Sequence, residues 1–363
     1  MRSLEELETP AVLVDLDVLE ANLARMAALA RRLGVGLRPH AKTHKTVEIG
    51  RMQLAAGAAG LCLAKASEAE VFVRAGVADV FIAYPIVGAD KARRLLQLAD
   101  SARLAVGVDS EAGARSLAAP FHEAGRTLEV CIEVDVGFHR VGVSPGAALD
   151  LARRLAALPG LRLRGVFSFA GHAYAGPTPE AVASAGRGEA ETLLAVAARL
   201  RDAGLACDEV SVGSTPTAPH AMAVSGVTEC RPGVYVFNDA SQVSLGACGL
   251  EQCALSVLAS VVSVPAPGRA VLDAGSKCLS SDPLRPRPGG HGWLLGHASR
   301  VAWLSEEHGV VNVAEGEYFR VGERVRVVPN HACVVANLAE GLLGVRDGRV
   351  EAEFPVAARG RVE

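Results

Sequence analysis

The stretch GLRPHAK, residues 36–42, predicts a short strand that ends in a lysine, Lys42. Comparable strand patterns recur along the chain and are mostly separated by Ala- and Leu-rich helical segments, such as 89–99 and 179–203. Repeated strand-helix units favour a parallel sheet, and eight of them over about 200–250 residues favour an α/β fold closed into a (β/α)8 barrel. The alternative is an open doubly wound sheet, but no GxGxxG motif follows an early strand. The predicted barrel strands are 36–42, 60–63, 79–84, 103–108, 128–135, 163–169, 209–213 and 233–237.

Two further regions flank the predicted barrel. Residues 11–15, AVLVD, predict a ninth strand outside the barrel, and the helix after it has Asp17 as its expected N-cap. From about residue 242, short Val- and Leu-rich segments between Gly, Pro and Asp turns predict an antiparallel all-β domain. We therefore expect a barrel domain at 1–241, whose first strand has the β domain as a candidate partner, and a β domain at 242–363. The predicted β-domain segments are 255–264, 269–273, 293–304, 324–328, 333–338 and 340–346, with a loop at 281–292 that can reach over an active site.

Composition narrows the range of partners. The chain has 37 basic and 40 acidic residues, a net charge of -3, and no long basic block, so we expect neither nucleic acid nor an anionic membrane as a partner. The acidic N-terminus does not resemble a secretory signal, and we expect a cytoplasmic protein. The eight cysteines contain no CxxC pair, and most are expected to be small buried residues, with Cys333 as the exception.

Polar residues follow several of the predicted strands, where a barrel places its active site. Lys42 is the candidate for a Schiff base, because a desolvated lysine has a lowered pKa and a free amine. The GST turn after the seventh strand offers backbone N–H groups and hydroxyls to a phosphate. A lysine and a phosphate site across one barrel mouth are the two anchors of pyridoxal phosphate. The candidate cofactor-binding and catalytic residues are Lys42, Arg140, His172, Tyr174, Gly213, Ser214, Thr215 and Tyr235.

Each of these residues also has a plainer interpretation. Lys42 can lie in a basic surface turn, and GST can be an ordinary small polar turn. Arg140 can form a salt bridge with Asp135 or Glu133, or it can face either the phenolate oxygen or the ring nitrogen of the cofactor. The histidine and the tyrosines can be hydrogen-bonded within loops.

A candidate metal pair lies in the segment VPNHACVVANL. If this segment is extended, His331 and Cys333 point to the same face and can bind one ion together. Two protein ligands leave positions open for water or substrate, as a Lewis-acid site requires. The thiolate favours zinc over magnesium or calcium. The plainer interpretation is a buried cysteine beside an unrelated histidine.

Eight motifs occur in a fixed order: RPHAKTHK, EVDVGFHR, GHAY, VGSTPT, RPGVYVFND, DAGSK, LSEEHG and PNHAC. With this combination the chain resembles the D-serine dehydratase/D-threonine aldolase family, pyridoxal phosphate enzymes of fold type III that are related to alanine racemase. The resemblance covers nearly the whole chain. It implies that Lys42 is the Schiff-base lysine, that Arg140 lies near the cofactor ring, and that the GST turn belongs to the phosphate site.

The same resemblance implies the remaining roles. His331 with Cys333 resembles the family's metal pair, and His172 lies where the aldolases place a histidine near the substrate β-hydroxyl. The family also implies homodimers whose active site lies between a barrel and the partner's β domain. Aldolases of the family tend to have a carboxylate as the second ligand, which suits manganese, whereas dehydratases resemble this chain in having His-x-Cys, which suits zinc.

The leading functional prediction is a lyase that converts a D-β-hydroxy amino acid, such as D-serine, to a 2-oxo acid and ammonia. In this prediction the Lys42 amine takes the Cα proton and a metal at His331 and Cys333 polarises the β-hydroxyl. The first alternative is an aldolase, in which a base such as His172 deprotonates the β-hydroxyl and cleavage gives glycine and an aldehyde. The others are a racemase, which needs no metal, and a non-catalytic carrier of pyridoxal phosphate.

Overall fold

The computed structural model describes residues 2–286 and 289–363. The first regular elements are strand β1 (Ala11–Asp15) and helix α1 (Leu16–Leu33). The N-cap of α1 is Asp15, whose Oδ1 accepts the N–H of Val18 at 3.1 Å, so the expectation that Asp17 caps the helix was wrong by one half-turn. Among the described residues, no helix is both long enough and apolar enough to cross a membrane.

Eight parallel strands form one sheet, in which each strand pairs with its neighbours in the order β2-β9-β8-β7-β6-β5-β4-β3. An isolated parallel bridge between His40 and Cys62 joins the two ends, so the sheet closes into a barrel. The predicted (β/α)8 barrel is therefore confirmed. Its strands are β2 (Gly36–Leu37), β3 (Leu61–Leu63), β4 (Asp79–Ile82), β5 (Arg103–Val108), β6 (Leu128–Glu133), β7 (Leu161–Phe167), β8 (Glu209–Val212) and β9 (Glu229–Cys230).

Helices connect these strands and pack their apolar faces on the outside of the barrel. Their buried residues are mostly Ala and Leu, and they form one core with the outward-facing strand residues. The longest helix is capped by Thr178, whose hydroxyl accepts the N–H of Ala181 at 3.3 Å. The helices after α1 are α2 (Val47–Ala55), α3 (Ala66–Arg74), α4 (Ala89–Leu98), α5 (Glu111–Glu123), α6 (Ala148–Ala156), α7 (Pro179–Asp202), α8 (Ala218–Ala221) and α9 (Ala240–Ser244).

The eighth strand is not where the sequence predicts it. It is Glu229–Cys230, whereas Val234–Val236, inside the predicted strand 233–237, forms a 3-10 turn. The ladder ends because Pro232 has no N–H to donate, although its carbonyl still accepts the N–H of His40 at 3.0 Å. Of the two valines that suggested a strand, Val236 is buried in the core beneath the β domain and Val234 lines the cavity at the barrel mouth.

The C-terminal part is a β domain, as predicted. Strands β10, β11, β14, β13, β12 and β15 close into a second, antiparallel barrel, and β1, β16 and β17 extend the sheet from β10. The N-terminal strand β1 pairs antiparallel with β10 and parallel with β16, so it belongs to this sheet. The elements are β10 (Leu255–Ala266), β11 (Arg269–Leu272), α10 (Ser276–Leu279), β12 (Gly292–Leu294), β13 (Arg300–Leu304), β14 (Gly309–Asn312), β15 (Arg324–Pro329), α11 (Ala332–Leu338), β16 (Gly341–Arg346) and β17 (Arg349–Pro355).

One predicted β segment, 333–338, is wrong, because these residues belong to helix α11. The backbone N–H of Ala332, which has no partner inside the helix, donates to Oδ2 of Asp239 at 3.0 Å. This helix start places the metal-pair segment against the mouth of the (β/α)8 barrel.

Candidate active site

The carboxyl ends of the barrel strands open onto a cavity of about 440 Å³. Its wall combines loops of the barrel with residues that precede β12 and begin α11, so both domains of the one chain build it. The structure brings most of the sequence-predicted site residues together here. Those that line the cavity are Lys42, Arg140, His172, Tyr174, Gly213, Ser214, Thr215, His331 and Cys333.

Lys42 lies on the 3-10 turn Ala41–Thr43, directly after the extended segment that closes the barrel. Its backbone N–H donates to Nδ1 of His40 at 3.5 Å, and its Nζ lies 5.9 Å from the centroid of the Phe169 ring. Within the described part of the chain, no carboxylate or carbonyl binds this amine. The side chain is exposed to the cavity, so the expected desolvation is not seen, but the amine is free to meet a carbonyl compound.

Arg140 and Glu133 face each other on the cavity wall. Nη2 of Arg140 is 3.9 Å from Oε1 of Glu133, and its Cζ is 5.0 Å from the centroid of Phe169. Asp135, the other predicted partner, instead binds His139 through a contact of 2.8 Å. Burial raises the pKa of Glu133 to about 7, although the guanidinium of Arg140 acts in the opposite direction.

The GST turn keeps a hydroxyl for an anion, but the N–H groups of Gly213 and Ser214, which the sequence suggested for a phosphate, already donate to Glu189 and to Oγ1 of Thr217. Gly213 has φ of +114°, and a Cβ there would lie 2.5 Å from the sulfur of Cys230, so only glycine fits. Its N–H donates to Oε1 of the buried Glu189 at 3.0 Å. Oγ1 of Thr215 accepts the N–H of Tyr235 at 3.0 Å, which leaves the Thr215 hydroxyl proton free for a phosphate oxygen.

His172 and Tyr174 share the 3-10 turn Gly171–Ala175. Nδ1 of His172 is buried and has no hydrogen-bond partner among the described residues, which marks it for a ligand or a water molecule. Burial raises the pKa of Tyr174, although the nearby side chains of Gln242 and Ser214 act in the opposite direction. Tyr174 therefore stays protonated beside the GST turn.

The structure does not bring Tyr235 to the cavity. Its ring is buried in the core beneath the β domain, and its hydroxyl accepts the Nε2 hydrogen of Gln53 at 3.3 Å. The 3-10 turn at Val234–Val236, which replaces the predicted strand, directs this side chain away from the barrel mouth. Tyr235 contributes to the site through its backbone N–H to Thr215.

His331 and Cys333 lie close together at the start of α11, and each side chain shifts the pKa of the other. The predicted extended segment was wrong, yet the helix start brings the two side chains together equally well. The sulfur of Cys333 donates to Oγ1 of Thr43, the residue after Lys42, at 3.4 Å. Cys333 of the candidate metal pair therefore contacts the 3-10 turn Ala41–Thr43, the lysine turn, which carries Lys42.

The groups around His331 and Cys333 shift the pKa values of both side chains in directions that favour cation binding. Burial alone would raise the pKa of Cys333, but His331, Thr43 and Lys42 together lower it. Burial likewise works against a charged His331, but Cys333, Asp239 and Asp282 raise the pKa of His331 to about 10. These opposite shifts favour the charged form of each side chain, and a divalent metal ion can take the place of the proton that they hold. In the described ranges, no group of three or more His, Cys, Asp or Glu residues is arranged to hold a metal ion.

Several residues of the cavity were missed from the sequence. Asp239, Gln242 and Asn330 lie in or beside motifs that the sequence singled out, but nothing in their pattern indicates what they contact. The predicted reach of loop 281–292 over the site is confirmed for Asp282 and Arg285, while residues 287–288 lie outside the described residues. The proline-rich loop was the one signal that pointed to Asp282.

Comparisons with known proteins agree with this fold. Residues 14–241 match the family model of the alanine racemase N-terminal domain, and residues 254–345 match that of a serine dehydratase domain. The chain is 39% identical over 362 residues to the D-threonine aldolase of an Arthrobacter species, which covers 98% of this chain and 94% of the relative. It is 39% identical over 347 residues to the D-threo-3-hydroxyaspartate dehydratase of Delftia sp. (strain HT23), which covers 90% of this chain and 91% of that enzyme.

Solved structures give the same result. The D-threonine aldolase of Filomicrobium marinum superposes with a TM-score of 0.92 and 36% identity over 100% of both chains. A metal-free form of the Delftia dehydratase, in which alanine replaces a cysteine, superposes with a TM-score of 0.91 and 36% identity over 98% of this chain and 99% of that chain. Fold and cavity thus define an alanine racemase-like enzyme. The chain belongs to the D-serine dehydratase/D-threonine aldolase family, and the relatives named here are lyases.

Proposed function

We propose that this protein is a pyridoxal phosphate- and metal-dependent lyase that dehydrates and deaminates a D-β-hydroxy amino acid to a 2-oxo acid and ammonia. The observation that carries the proposal is the contact between the metal pair and the lysine turn, where the sulfur of Cys333 lies 3.4 Å from Oγ1 of Thr43. A lyase of this kind needs both a base for the Cα proton and a Lewis acid for the β-hydroxyl, and the contact of Cys333 with the turn that carries Lys42 supports this assignment.

The residues around Lys42 fit pyridoxal phosphate. The unpaired amine of Lys42 suits the aldehyde, the GST turn suits the phosphate, and Arg140 suits an oxygen or nitrogen of the ring. When bound, the cofactor supplies an electron sink for the negative charge that develops at the substrate Cα. Lys42 then holds and moves the Cα proton at its Nζ.

His331 and Cys333 fit a divalent metal ion, which would supply Lewis acidity toward the β-hydroxyl. An imidazole nitrogen with a thiolate favours zinc, and manganese is the alternative that the carboxylate-containing aldolases suggest. The pair lines the same cavity as Lys42, which argues against a racemase or a carrier, since neither has a use for a metal.

Dehydration is favoured over aldol cleavage by the ligand pair itself. The Delftia enzyme named a dehydratase has been solved with alanine in place of a histidine and, separately, of a cysteine two residues further on, the latter in a metal-free form. This chain has the same spacing in His331 and Cys333. The aldolase alternative is supported by the unpartnered Nδ1 of His172, which could take the β-hydroxyl proton, and by the similarity to two enzymes named D-threonine aldolase.

Product analysis with D-threonine tests the proposal. The purified protein, loaded with pyridoxal phosphate and zinc or manganese, should release 2-oxobutanoate and ammonia, whereas glycine and acetaldehyde would show that the aldolase alternative is correct. L-Threonine serves as the stereochemical control and should not react. Turnover that survives complete removal of the metal by a chelator would contradict both lyase mechanisms.

The homodimer and the cytoplasmic location implied by the sequence stay predictions. Light scattering of the loaded protein measures the first. Because the cavity wall described here comes from one chain, a monomer that retained full turnover would show that no partner residue is needed.

A further inference from the structure

We propose that Asp282 is a positioning residue that presents His331 to the metal ion, and that metal binding in turn restrains the loop carrying Asp282. The inference rests on the proposed metal site at His331 and Cys333. It concerns a residue of the proline-rich loop before β12, not a ligand or a group that touches the substrate.

The contact between the two side chains is short and directional. Oδ2 of Asp282 lies 2.6 Å from Nδ1 of His331. A neutral imidazole that donates from Nδ1 keeps its lone pair on Nε2, so Asp282 selects the tautomer in which Nε2 is available to a metal ion. It also fixes the rotation of the ring, because the acceptor lies at one defined edge.

The backbone of Asp282 is itself held in place. Its N–H donates to Oγ of Ser280 at 3.1 Å, and its carbonyl accepts from Nδ2 of the buried Asn330 at 3.1 Å. The same Nδ2 donates to the carbonyl of Gly290 at 2.8 Å, so Asn330 ties together both sides of the loop. Asn330 directly precedes His331, and the loop and the metal ligand therefore share one anchor.

Asp239 holds the pair from the opposite side and gives a useful contrast. It is buried, with Oδ2 on the N–H of Ala332 and Oδ1 on the N–H of Gln242, so it joins α9 to α11. Replacing Asp239 would disturb the backbone of both helices. Asp282 touches the imidazole alone, and its side chain is 46% exposed, so its contact contributes little to the stability of the fold.

This difference gives Asp282 a distinct experimental signature. Carboxylates that orient a metal-bound imidazole typically change metal affinity by about 10- to 100-fold when they are replaced. A residue whose role is only structural would instead change the unfolding transition of the metal-free protein. We therefore expect Asp282→Asn to weaken metal binding and to leave that transition in place.

The first experiment measures Zn²⁺ affinity by competition with a chromophoric chelator, using full-length protein loaded with pyridoxal phosphate. Asp282→Asn should bind Zn²⁺ about 10- to 100-fold more weakly than the wild type, and Asp282→Glu, which keeps an anionic acceptor, should recover part of the loss. The matched control is Asp150→Asn, which removes an exposed carboxylate on α6, far from the cavity, and should not change Zn²⁺ affinity. Wild-type affinity in Asp282→Asn would overturn the inference.

A separate variant distinguishes a failure of the role of Asp282 from a failure of the proposed metal site. His331→Ala should lose specific Zn²⁺ binding, and retention of wild-type affinity there would overturn the metal site itself. Loss in His331→Ala together with normal affinity in Asp282→Asn would leave the metal site standing and refute the role of Asp282 alone.

The second experiment tests the reciprocal effect, since coupling between two binding events acts equally in both directions. Hydrogen exchange is followed at the amides of Asp282, Leu284 and Arg285, with and without Zn²⁺. The amides of Asp282 and Arg285 donate to the hydroxyls of Ser280 and Ser241, so their exchange reports on the loop. Zn²⁺ should slow exchange in the wild type and not in Asp282→Asn; equal slowing in both proteins would refute the coupling.

Discussion

Both ends of the (β/α)8 barrel carry charged side chains, but the two ends use them differently. At the end formed by the starts of the strands, the buried Arg38 binds Asp79 through Nη1 and Glu229 through Nε, each at 2.6 Å. Arg164 similarly binds both Glu129 and Glu209. The charges at this end satisfy one another.

At the cavity end, several charged and polar groups lack a close partner among the described residues. Nη2 of Arg140 is 3.9 Å from Oε1 of Glu133, whose Oε2 is buried without a hydrogen-bond partner among the described residues. Nδ1 of His172 is likewise buried without a hydrogen-bond partner among the described residues, and the amine of Lys42 faces the open cavity. Charged and polar groups at the first end stabilise the fold, whereas those at the second end are available to a ligand. Substitutions at the two ends should therefore affect different quantities.

The largest expected effect is on activity, in Lys42→Ala. Turnover of D-threonine should fall by about 10³-fold or more, because the variant lacks both the amine that anchors the cofactor and the base for the Cα proton. The measurement is kcat in the presence of excess pyridoxal phosphate, with the unfolding transition as a check on the fold. Lys45→Asn is the control, since Lys45 lies outside the cavity with φ of +54°, which asparagine tolerates. Normal turnover in Lys42→Ala would remove the lysine from the mechanism.

At the opposite end, Arg38→Met should lower the free energy of unfolding by about 3–5 kcal/mol, because it leaves two carboxylates without their buried cation. Specific activity of the folded fraction should not change. Urea unfolding measures the first quantity and an assay at low temperature the second. Arg103→Met is the matched control: this arginine shares Asp79 with Arg38 and also binds Glu129, but its side chain is 55% exposed, so about 1 kcal/mol or less is expected. An equal loss of stability in both variants would contradict the explanation that burial of the arginine determines the size of the loss.

The sequence predicted the barrel because its strands are short, β-branched and regularly spaced, and the positions of Lys42, His172 and the GST turn followed from the ends of those strands. It failed where local pattern and tertiary contact disagree. Val234–Val236 and Ala332–Leu338 have apolar side chains typical of strands, but Pro232 ends one ladder and Asp239 starts the other segment as a helix.

The same limit applies to the site. The direction of the Tyr235 side chain depends on a 3-10 turn, and the partnership of Asp282 with His331 joins residues that are distant in the chain. Neither has a local signature. Residue type and position along a strand could place a side chain at the cavity, but not show which neighbour it would meet.

The variant Glu133→Gln tests the difference between the two ends of the barrel through the pH dependence of folding stability. Burial raises the pKa of Glu133 from 4.5 to about 7, so the folded state holds this proton more tightly than the unfolded state. Wild-type stability should therefore fall as the pH rises from 4.5 through 7, by up to about 3 kcal/mol from this one group. The variant lacks this contribution, so its stability relative to the wild type should rise by that amount between pH 4.5 and 8.

Urea unfolding of the cofactor-free proteins at the two pH values measures this difference. If the variant and the wild type show the same pH dependence, the Glu133 carboxylate is solvated or neutralised in solution. Glu133 would then not be one of the unpartnered groups at the cavity end.

The smallest expected effect separates two tyrosines that the sequence treated alike. Tyr235→Phe should cost about 1 kcal/mol of stability, because it leaves Nε2 of Gln53 without its acceptor, and should leave cofactor affinity unchanged, because the backbone N–H to Thr215 remains. Tyr174→Phe removes a hydroxyl that lies beside Ser214 in the cavity wall, and should weaken pyridoxal phosphate binding by about fivefold. Titration of both variants with the cofactor, alongside urea unfolding, measures the two effects. Weaker cofactor binding in Tyr235→Phe would mean that the Gln53 contact positions the GST turn, and that the cavity depends on the core behind it.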